Sequence, residues 1–474
     1  MGGTGATAQS AFSTPITKND PYTYQVGFGN SFASEAIPGV LPVGQNSPQK
    51  NKYGLYAEGI NGTSFVAPRA ENQRTWFYRM RPSVSHNGYG PYPQNPNLEA
   101  NFTPLNPKVH MSPTQLAWHP FDIPSSDKKV DFVDGLVSVA GNGDPMLREG
   151  LVVHVFLANT SMDKKAFVNS DGDMLILPQQ GRLDIQTELG KLMVRPGELV
   201  VIQRGLKFKV SLPDGPVRGY IQEIYGTHYE LPELGPLGAN GLANVRDFES
   251  PVASFDIDQS DWEIVYKTGG KLFSCTQDHT PFDVVAWHGN YVPYKYAMEK
   301  FIGVGSITRD HIDPSIFCVL TAKSKAPGVP LADFLIFFPR WDVASQTFRP
   351  PYFHRNTSTE LMGLIYGDYE GRSDSFKPGS ISYETGFCPH GVSWEVYKQA
   401  SEMELTPQRV HEGTLAFMFE SSMMFGISDY AMKTNKRHEH EPGMWNDLRN
   451  NFLERIQEVN ADLKAAGLPE LGNQ

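Results

Sequence analysis

The sequence predicts a mainly β fold, with two β barrels or sandwiches in tandem and an amphipathic helix at the C-terminus. Glycine and proline are abundant, at 44 and 36 of 474 residues, and they separate short runs of alternating or β-branched hydrophobic residues, as turns separate strands. These runs concentrate in two regions, from Asp173 to Val210 and from Ile316 to Tyr430. We therefore divide the chain into an N-terminal β domain, residues 1–270, and a C-terminal domain, residues 271–474.

Individual strands can be placed in both regions. In the first region, short Gly- or Pro-bearing turns separate strands expected at 174–177, 183–187, 192–194 and 199–202. Their spacing is that of a meander or a barrel. In the second region, hydrophobic runs predict strands at 317–320, 334–337 and 414–419. The first 120 residues have no clean period, and no element is predicted there.

Two helices are expected in the C-terminal half. Residues 443–466 carry apolar side chains at helical spacing, and Gly467 and Pro469 follow them as stop signals. The apolar positions are Trp445, Leu448, Phe452, Ile456, Val459 and Leu463. This pattern predicts an amphipathic C-terminal helix that packs on the body of the protein. A shorter helical pattern runs from Trp394 to Ala400.

Composition excludes several classes of partner. Lysine and arginine total 41 against 52 acidic residues, a net charge of −11, which disfavours binding to nucleic acid or to anionic membranes. The apolar run around Leu335 is too short to cross a membrane, and the N-terminus has no export or lipidation pattern. Cys275, Cys318 and Cys388 are widely spaced and odd in number, so no disulfide framework is expected. We expect a soluble cytoplasmic protein.

Motifs of the commonest chemistries are missing from the sequence, namely the phosphate loop, the dinucleotide fingerprint, the GxSxG elbow and the HExxH zinc helix. Histidine is the remaining guide. His119 and His154 lie in apolar runs and are predicted to be core residues. The triplet His438-Glu439-His440 has metal-like spacing but lies in a charged run, so we predict a solvated segment.

The most informative stretch is Phe353-His354-Arg355-Asn356-Thr357-Ser358-Thr359-Glu360, followed later by Cys388-Pro389-His390-Gly391. On a helix, His354 and Glu360 would point about 240° apart, and on a straight strand they would lie about 20 Å apart. If the polar residues from Arg355 to Thr359 fold the chain back, both side chains can point into one barrel mouth. A histidine from a neighbouring strand would complete a set of two imidazoles and one carboxylate.

Such a ligand set suits non-haem Fe(II), because it leaves positions open for an oxygen atom of the substrate and for O₂. Three interpretations follow from the residues alone. They are an iron or manganese oxygenase, a zinc hydrolase with a His₂Glu site, and a structural or vestigial metal site.

At these residues the sequence resembles the homogentisate 1,2-dioxygenase family of iron-dependent ring-cleaving enzymes, and the resemblance covers nearly the whole chain. The matching strings include Gly27-Phe28-Gly29-Asn30, Asn169-Ser170-Asp171-Gly172-Asp173 and Trp287-His288-Gly289-Asn290, and the longest is Phe348-Arg349-Pro350-Pro351-Tyr352-Phe353-His354-Arg355-Asn356. The resemblance implies a two-part cupin-like (bicupin) fold in which only the second barrel carries metal. It also implies a homo-oligomer, a trimer or a hexamer of paired trimers.

The resemblance also implies roles for individual residues. His354, Glu360 and His390 correspond to the iron ligands, and His390 also adjoins the substrate. His288 matches an acid/base histidine that contacts the substrate. Two pocket tyrosines match Tyr352 and Tyr369, with aromatic core packing as the alternative. The implied reaction converts homogentisate to maleylacetoacetate with both atoms of O₂, and it needs no nicotinamide, flavin or reductase.

Three departures from the family pattern bear on the substrate. Tyr366 replaces an arginine, Glu384 replaces a histidine, and Val392-Ser393 replaces Pro-Asp. Tyrosine cannot supply the charge with which arginine recognises a carboxylate, so Tyr366 and Glu384 are predicted to alter the substrate pocket. The alternatives are a paralogue that cleaves another substituted hydroquinone and, in a different class, a non-catalytic cupin binding protein.

Overall fold

A computed structural model describes residues 20–304, 306, 307, 309–311, 313–369, 376–438, 443 and 445–472. The strands, numbered in chain order, are β1 (Tyr24–Val26), β2 (Phe32–Glu35), β3 (Tyr56–Asn61), β4 (Arg74–Arg79), β5 (Gly90–Pro91), β6 (Val109–His110), β7 (Leu116–Trp118), β8 (Leu136–Asp144), β9 (Glu149–Ala158), β10 (Lys165–Asn169), β11 (Gly172–Gln180), β12 (Leu183–Thr187), β13 (Gly190–Val194), β14 (Glu198–Ile202), β15 (Lys207–Ser211), β16 (Val217–Tyr225), β17 (Phe248–Pro251), β18 (Trp262–Thr268), β19 (Lys271–Gln277), β20 (Val284–Gly289), β21 (Tyr294–Ala297), β22 (Ser306–Ile307), β23 (Cys318–Lys323), β24 (Pro330–Phe337), β25 (Arg340–Ala344), β26 (Thr359–Tyr366), β27 (Ile381–Glu384), β28 (Gln408–Val410), β29 (Leu415–Ser421), β30 (Gly426–Ser428) and β31 (Arg437–His438).

Helices are few and short by comparison. The α-helices are α1 (Trp394–Glu402), α2 (Asp429–Lys433) and α3 (Ile456–Ala465). Single turns of 3₁₀ helix cover Lys52–Gly54, Pro145–Leu147, Gly235–Leu237, Val245–Asp247, Met298–Lys300, Pro314–Phe317 and Leu453–Arg455. The mainly β prediction is confirmed. No described helix is long and apolar enough to cross a membrane.

The strands of the described residues form five sheets. We call the segment from β1 to β21 the N-terminal part and the segment from β22 to β31 the C-terminal part. In the N-terminal part, a ten-stranded sheet has the order β1-β17-β21-β14-β11-β16-β9-β8-β30-β6, and a seven-stranded sheet has the order β13-β12-β15-β10-β18-β19-β5. A four-stranded sheet has the order β2-β20-β4-β3. The C-terminal part has a seven-stranded sheet, β23-β24-β29-β26-β27-β7-β31, and a three-stranded sheet, β22-β25-β28.

The two parts of the chain exchange strands. β7 comes from the N-terminal part but pairs with β27, with Trp118 opposite Ile381. In return, β30 comes from the C-terminal part and pairs with β8, with Ile427 opposite Ala140. One hydrophobic core spans both parts and includes side chains from β8, β9, β11, β24, β26 and β29. The two parts are therefore joined through both sheets and through a shared core.

The strand predictions for 173–210 correspond to β11, β12, β13 and β14, and those for the second region correspond to β23, β24 and β29. The division predicted between residues 270 and 271 falls in the turn of the β18–β19 hairpin, where Thr268 pairs with Lys271. The strands as far as β21 pair with N-terminal strands.

The helix predictions have different outcomes. The short helix is present as α1, and Ser393 caps it by accepting a hydrogen bond from the Val396 amide. The C-terminal helix is present as α3, but it begins at Ile456 and not at residue 443. One reason is that the Asn450 side chain accepts a hydrogen bond from the Leu453 amide. Asparagine side chains compete in this way with helical hydrogen bonds.

The predicted core histidines also differ. His154 is fully buried, and its Nε2 lies 2.9 Å from Oε2 of Glu223. His119 is only half-buried, because its ring lies at the rim of the sheet, 5.2 Å from the ring of His438. Glu439 and His440, from the triplet predicted to be solvated, lie outside the described residues.

Candidate metal centre

The centre begins with a backbone contact between His354 and His390. These residues form an isolated antiparallel bridge in which each amide donates to the carbonyl of the other, with both N–O distances 3.1 Å. The two imidazole rings come to 4.2 Å between centroids. The backbone therefore brings together two histidines from distant parts of the sequence.

Asn356 shapes the turn between His354 and Glu360. Its Oδ1 accepts a hydrogen bond from the Ser358 amide, 2.9 Å away, which is the contact of an Asx turn. Its Nδ2 donates to Oε1 of Glu360 over 3.1 Å. Glu360 lies at the start of β26 and is buried. One amide side chain thus bends the chain and also orients the carboxylate, as the turn-prone residues predicted.

Both imidazoles present the same nitrogen to the centre. His354 Nδ1 lies 2.8 Å from the carbonyl oxygen of Tyr352, and His390 Nδ1 lies 2.9 Å from that of Cys388. A carbonyl oxygen only accepts, so each Nδ1 carries the hydrogen and each Nε2 keeps its lone pair. This is how metal-binding histidines are held in place.

The donor atoms of His354, Glu360 and His390 all lie within 4.8 Å of one another. His390 Nε2 is 3.6 Å from Oε2 of Glu360. Donor atoms about 2.1 Å from a shared ion lie roughly 3–3.5 Å apart, so small shifts would accommodate a metal. Burial alone would raise the pKa of Glu360, but His390 and the Asn356 amide lower it, so the carboxylate is ionised at neutral pH.

Glu360 belongs to a row of four acidic residues across adjacent strands. In β26, β27 and β29 it lies opposite Glu384 on one side and Glu420 on the other, and Glu420 lies opposite Asp333 of β24. Directly opposed residues of antiparallel strands share a face, and like charges so placed repel one another. Burial and the Glu360 and Asp333 carboxylates raise the pKa of Glu420 to about 7, despite a hydrogen bond from Ser358. The face is thus electrostatically suited to a cation.

A cleft of about 370 Å³ opens next to the two histidines. Its lining consists of Phe353, His354, Arg355, Pro389, His390, Trp445 and Leu448. The Trp445 indole donates to the carbonyl of Gly391 and so ties the C-terminal segment to the histidine loop. The cleft is large enough for a single-ring aromatic molecule, and most of its wall is apolar.

Of the other predicted site residues, the structure brings Tyr352 and Glu384 to the centre. The Tyr352 ring is 5.6 Å from that of His354 and is about half exposed. Glu384 is buried beside Glu360, and its charge acts on His390. His288 is not brought there. It lies in β20 of the four-stranded sheet, does not line the cleft, and has its Nε2 3.4 Å from the Tyr78 hydroxyl.

Within the chain, Tyr366 and Tyr369 lie away from the three candidate ligands. Tyr366 is at the opposite end of β26 from Glu360, about 20 Å away at strand spacing. It lies beside the ion pair of Arg195 and Glu299. Tyr369 follows the same end of β26. The expectation that Tyr366 lies in the ring pocket is therefore not supported by the fold of a single chain, because the strand carries it to the contact between the two parts.

Tyr369 has aromatic neighbours of its own. Its ring stacks on His411 at 5.3 Å and meets the edge of Phe337 at 6.0 Å. These contacts are the aromatic core packing that was the alternative to a pocket role for Tyr369. The Val392-Ser393 departure also has a local explanation, since Val392 is buried and Ser393 is the N-cap of α1. Aspartate is an equally good N-cap, so serine can replace it there without reference to the substrate.

Two residues near the centre were missed by the sequence analysis. His311 Nε2 lies 2.7 Å from the carbonyl of Phe348, and its ring is 6.2 Å from that of Tyr352. Arg355 lies inside the motif from Phe353 to Glu360 and lines the cleft. Neither has a distinctive spacing in the sequence, and only their approach to Tyr352 and His354 in space singles them out.

Comparisons with known proteins agree over most of the chain, from residue 23 to residue 452 for the family models. A family model described as the homogentisate 1,2-dioxygenase N-terminal region matches residues 23–298, and one described as the C-terminal region matches residues 299–452. The chain is 49% identical to homogentisate 1,2-dioxygenase of Emericella nidulans, over 92% of this chain and 98% of that protein. It is 52% identical to the protein of that name from Dictyostelium discoideum, over 87% and 94%. With the human protein of that name it shares 48%, over 90% and 96%.

Solved structures give a looser likeness. A cupin 2 conserved barrel domain protein from Leptotrichia buccalis superimposes with a TM-score of 0.24 and 8% identity, over 63% of this chain and 97% of that one. The family assignment therefore rests on the two family models, which meet between residues 298 and 299, and on the curated relatives.

Proposed function

We propose, because the chain belongs to the homogentisate 1,2-dioxygenase family, that it cleaves the aromatic ring of homogentisate with O₂ to give maleylacetoacetate. The observation that carries this proposal is the convergence of His354, Glu360 and His390, with donor atoms within 4.8 Å. These residues occupy the positions that the family resemblance gives to the iron ligands.

We propose Fe(II) as the metal. Two neutral imidazoles and one carboxylate on one side of an ion leave other coordination positions open, and this set is typical of non-haem Fe(II) oxygenases. When bound, Fe(II) supplies the electronic link through which a hydroquinone reduces O₂. The chain supports this set through hydrogen bonds that fix both Nδ1 atoms and through Asn356, which orients Glu360.

A base is needed to take the proton from the hydroxyl group of the substrate. The sequence suggested His288 for this task, but its contacts lie on the four-stranded sheet. Within a single chain we propose His311 for this role, since its ring lies 6.2 Å from that of Tyr352, whose ring neighbours that of His354. Like His288, it does not line the cleft. Because His311 Nε2 donates to the Phe348 carbonyl, Nδ1 is the atom left to accept the proton.

The placement of the departures favours homogentisate over another hydroquinone. Tyr366 lies at the contact with Arg195 and Glu299, and Ser393 caps a helix. Only Glu384 remains beside the ligands. Two of the three departures that suggested a paralogue with a different substrate therefore no longer support that hypothesis.

Oxygen uptake tests the proposal. Fe(II)-loaded protein is supplied with homogentisate and with a small panel of other hydroquinones and catechols. We expect one O₂ consumed per homogentisate and conversion to maleylacetoacetate, with slower turnover of the other compounds. Oxygen uptake with another hydroquinone but not with homogentisate would identify a paralogue, and no uptake with any compound would favour a binding protein.

We also propose a cytoplasmic homo-oligomer, a trimer or a hexamer. The reducing compartment is supported by three unpaired cysteines, Cys275, Cys318 and Cys388. Assembly is supported by the family resemblance and by large exposed apolar side chains near the centre, among them Phe353 and Phe387. Light scattering on the purified protein measures the mass and distinguishes a monomer of 52.8 kDa from its multiples.

A further inference from the structure

Arg355 lines the cleft beside the proposed metal ligands and has no acidic partner among the residues that the structure describes. We propose that Arg355 binds the carboxylate of the substrate and so selects ring compounds that bear an acidic side chain. This inference rests on the proposed function, since it names the residue that recognises the carboxylate arm of homogentisate.

The first support is the position and freedom of Arg355. It follows the ligand His354 directly, lines the same cleft, and is exposed to solvent. Within the part of the chain that the structure describes, it has no ion pair and no side-chain hydrogen bond. Two other arginines of the C-terminal part are engaged, Arg349 with Asp342 and Arg409 with Glu412. Its guanidinium is therefore available for a ligand, and its planar fork matches a carboxylate.

The second support is the charge distribution around the ligands. Glu384, Glu420 and Asp333 share with Glu360 one face of the sheet. An anionic side chain of the substrate would be repelled from that face, more strongly in a partly buried site than in water. A carboxylate entering the cleft is thus directed toward Arg355, while the phenolic end of the ring faces the ligands.

The third support is the lining between these two ends. Phe353, Pro389, Trp445 and Leu448 form the rest of the wall beside Arg355 and the two histidines. A wall of this kind holds an aromatic ring by apolar contact, and one or two polar groups then fix its orientation. Position 366, where the family pattern has a cation, is at the far end of β26 and does not line this cleft.

The test compares homogentisate with its methyl ester, which keeps the ring but lacks the charge. Binding to the Fe(II)-loaded protein is measured by calorimetry without O₂, and kcat and KM are measured with O₂. We expect Arg355→Gln to weaken binding of the acid and raise its KM by about ten- to a hundredfold, the scale of a lost charge-assisted hydrogen bond. Binding of the ester should change by less than about threefold, and Arg355→Lys should recover part of the affinity for the acid.

A matched control is Arg449→Gln. Arg449 follows Leu448 in sequence, but its guanidinium stacks on Trp394 and does not line the cleft. It should bind both compounds like the wild type. Iron content and the thermal midpoint of each variant are measured alongside.

Equal affinity of Arg355→Gln and wild type for the acid would overturn the proposal, as would a wild type that binds the ester as tightly as the acid. The second comparison needs no variant, so it decides the matter even if Arg355→Gln fails to fold. Failure of the proposed function looks different, because the wild type would then show no ring cleavage of homogentisate at all.

Discussion

His354 and His390 hold each other in register through two backbone hydrogen bonds of 3.1 Å. These two hydrogen bonds are made by the backbone, so they remain when either imidazole side chain is removed. The ligand set can therefore be dismantled one side chain at a time while the loops stay in place.

We expect His354→Ala, Glu360→Ala and His390→Ala each to lose most of the iron and nearly all ring cleavage. All three donors are needed to hold Fe(II) against water, and the fold should persist because the bridge remains. Iron per chain and circular dichroism measure the two effects. His438→Ala, at a histidine outside the cluster, serves as the control. If Glu360→Ala kept full iron and activity, Glu360 would not be the carboxylate ligand.

His311→Ala should keep its iron yet lose on the order of 10² or more in kcat, the usual scale for a positioned acid/base. His288→Ala should lose much less, because its Nε2 faces Tyr78 on another sheet. Both variants are compared by iron content and by kcat for homogentisate. A large loss in His288→Ala with iron retained would restore the role first inferred from the sequence and would place His288 at the centre of a neighbouring subunit.

Tyr366→Arg should change kcat/KM for homogentisate by no more than about twofold. The side chain lies beside Arg195 and Glu299, so a new guanidinium there is remote from the ligands and screened by Glu299. Steady-state oxygen uptake measures the ratio. A gain of tenfold or more would show that position 366 does contact the substrate, contrary to its place in a single chain.

His228 should make the fold less stable at alkaline pH. Its Nδ1 lies 2.7 Å from Asp173 and its Nε2 lies 2.9 Å from the carbonyl of Gly62, so both nitrogens donate and the ring is charged. Burial opposes this charge, but Asp173 raises the pKa above its ordinary 6.5. The stabilisation is thus complete below pH 6.5 and is lost as the pH rises through the folded pKa. His228→Gln should flatten this part of the profile of urea midpoint against pH, and an unchanged slope would show that another group causes it.

Glu223 should have the opposite effect at acid pH. Burial alone would raise its pKa, but Lys267 and His154 lower it from 4.5 to about 2. The stabilisation is therefore present above pH 4.5 and is lost as the pH falls toward 2. Glu223→Gln should lower the free energy of unfolding at pH 7 by about 3 kcal/mol, as for a broken buried ion pair. Its acid transition should also be shallower than that of the wild type, and an equally steep one would contradict this role.

Part of the fold was predictable from local sequence. β11 to β14, for example, are marked by β-branched runs separated by short turns. The start of the C-terminal helix was not predictable. The helical spacing of apolar residues begins at Trp445, but this segment also contains Asn450, whose side chain favours a turn over a helix. Pairings between distant strands, such as β7 with β27, leave no trace in local sequence because neither strand specifies its partner.

The same distinction applies to the site. The motif from Phe353 to Glu360 and the family resemblance named three candidate ligands, and the structure brings their donor atoms together. Register could not be read in advance, so neither the carboxylates opposite Glu360 nor the remoteness of Tyr366 could be seen. A departure from a family pattern shows where along the chain a residue has changed. Whether that residue lies near the substrate depends on which end of its strand it occupies, and the sequence alone does not give this.

The exchange of β7 and β30 between the two parts constrains how the chain can fold during synthesis. The N-terminal sheet remains without β30, and β8 keeps an open edge, until residue 428 has left the ribosome. Unpaired strand edges are templates for aggregation. A nascent chain that stalls before that point would therefore depend on chaperones. For the same reason, an N-terminal fragment expressed alone should aggregate unless the missing strand is supplied as a separate peptide.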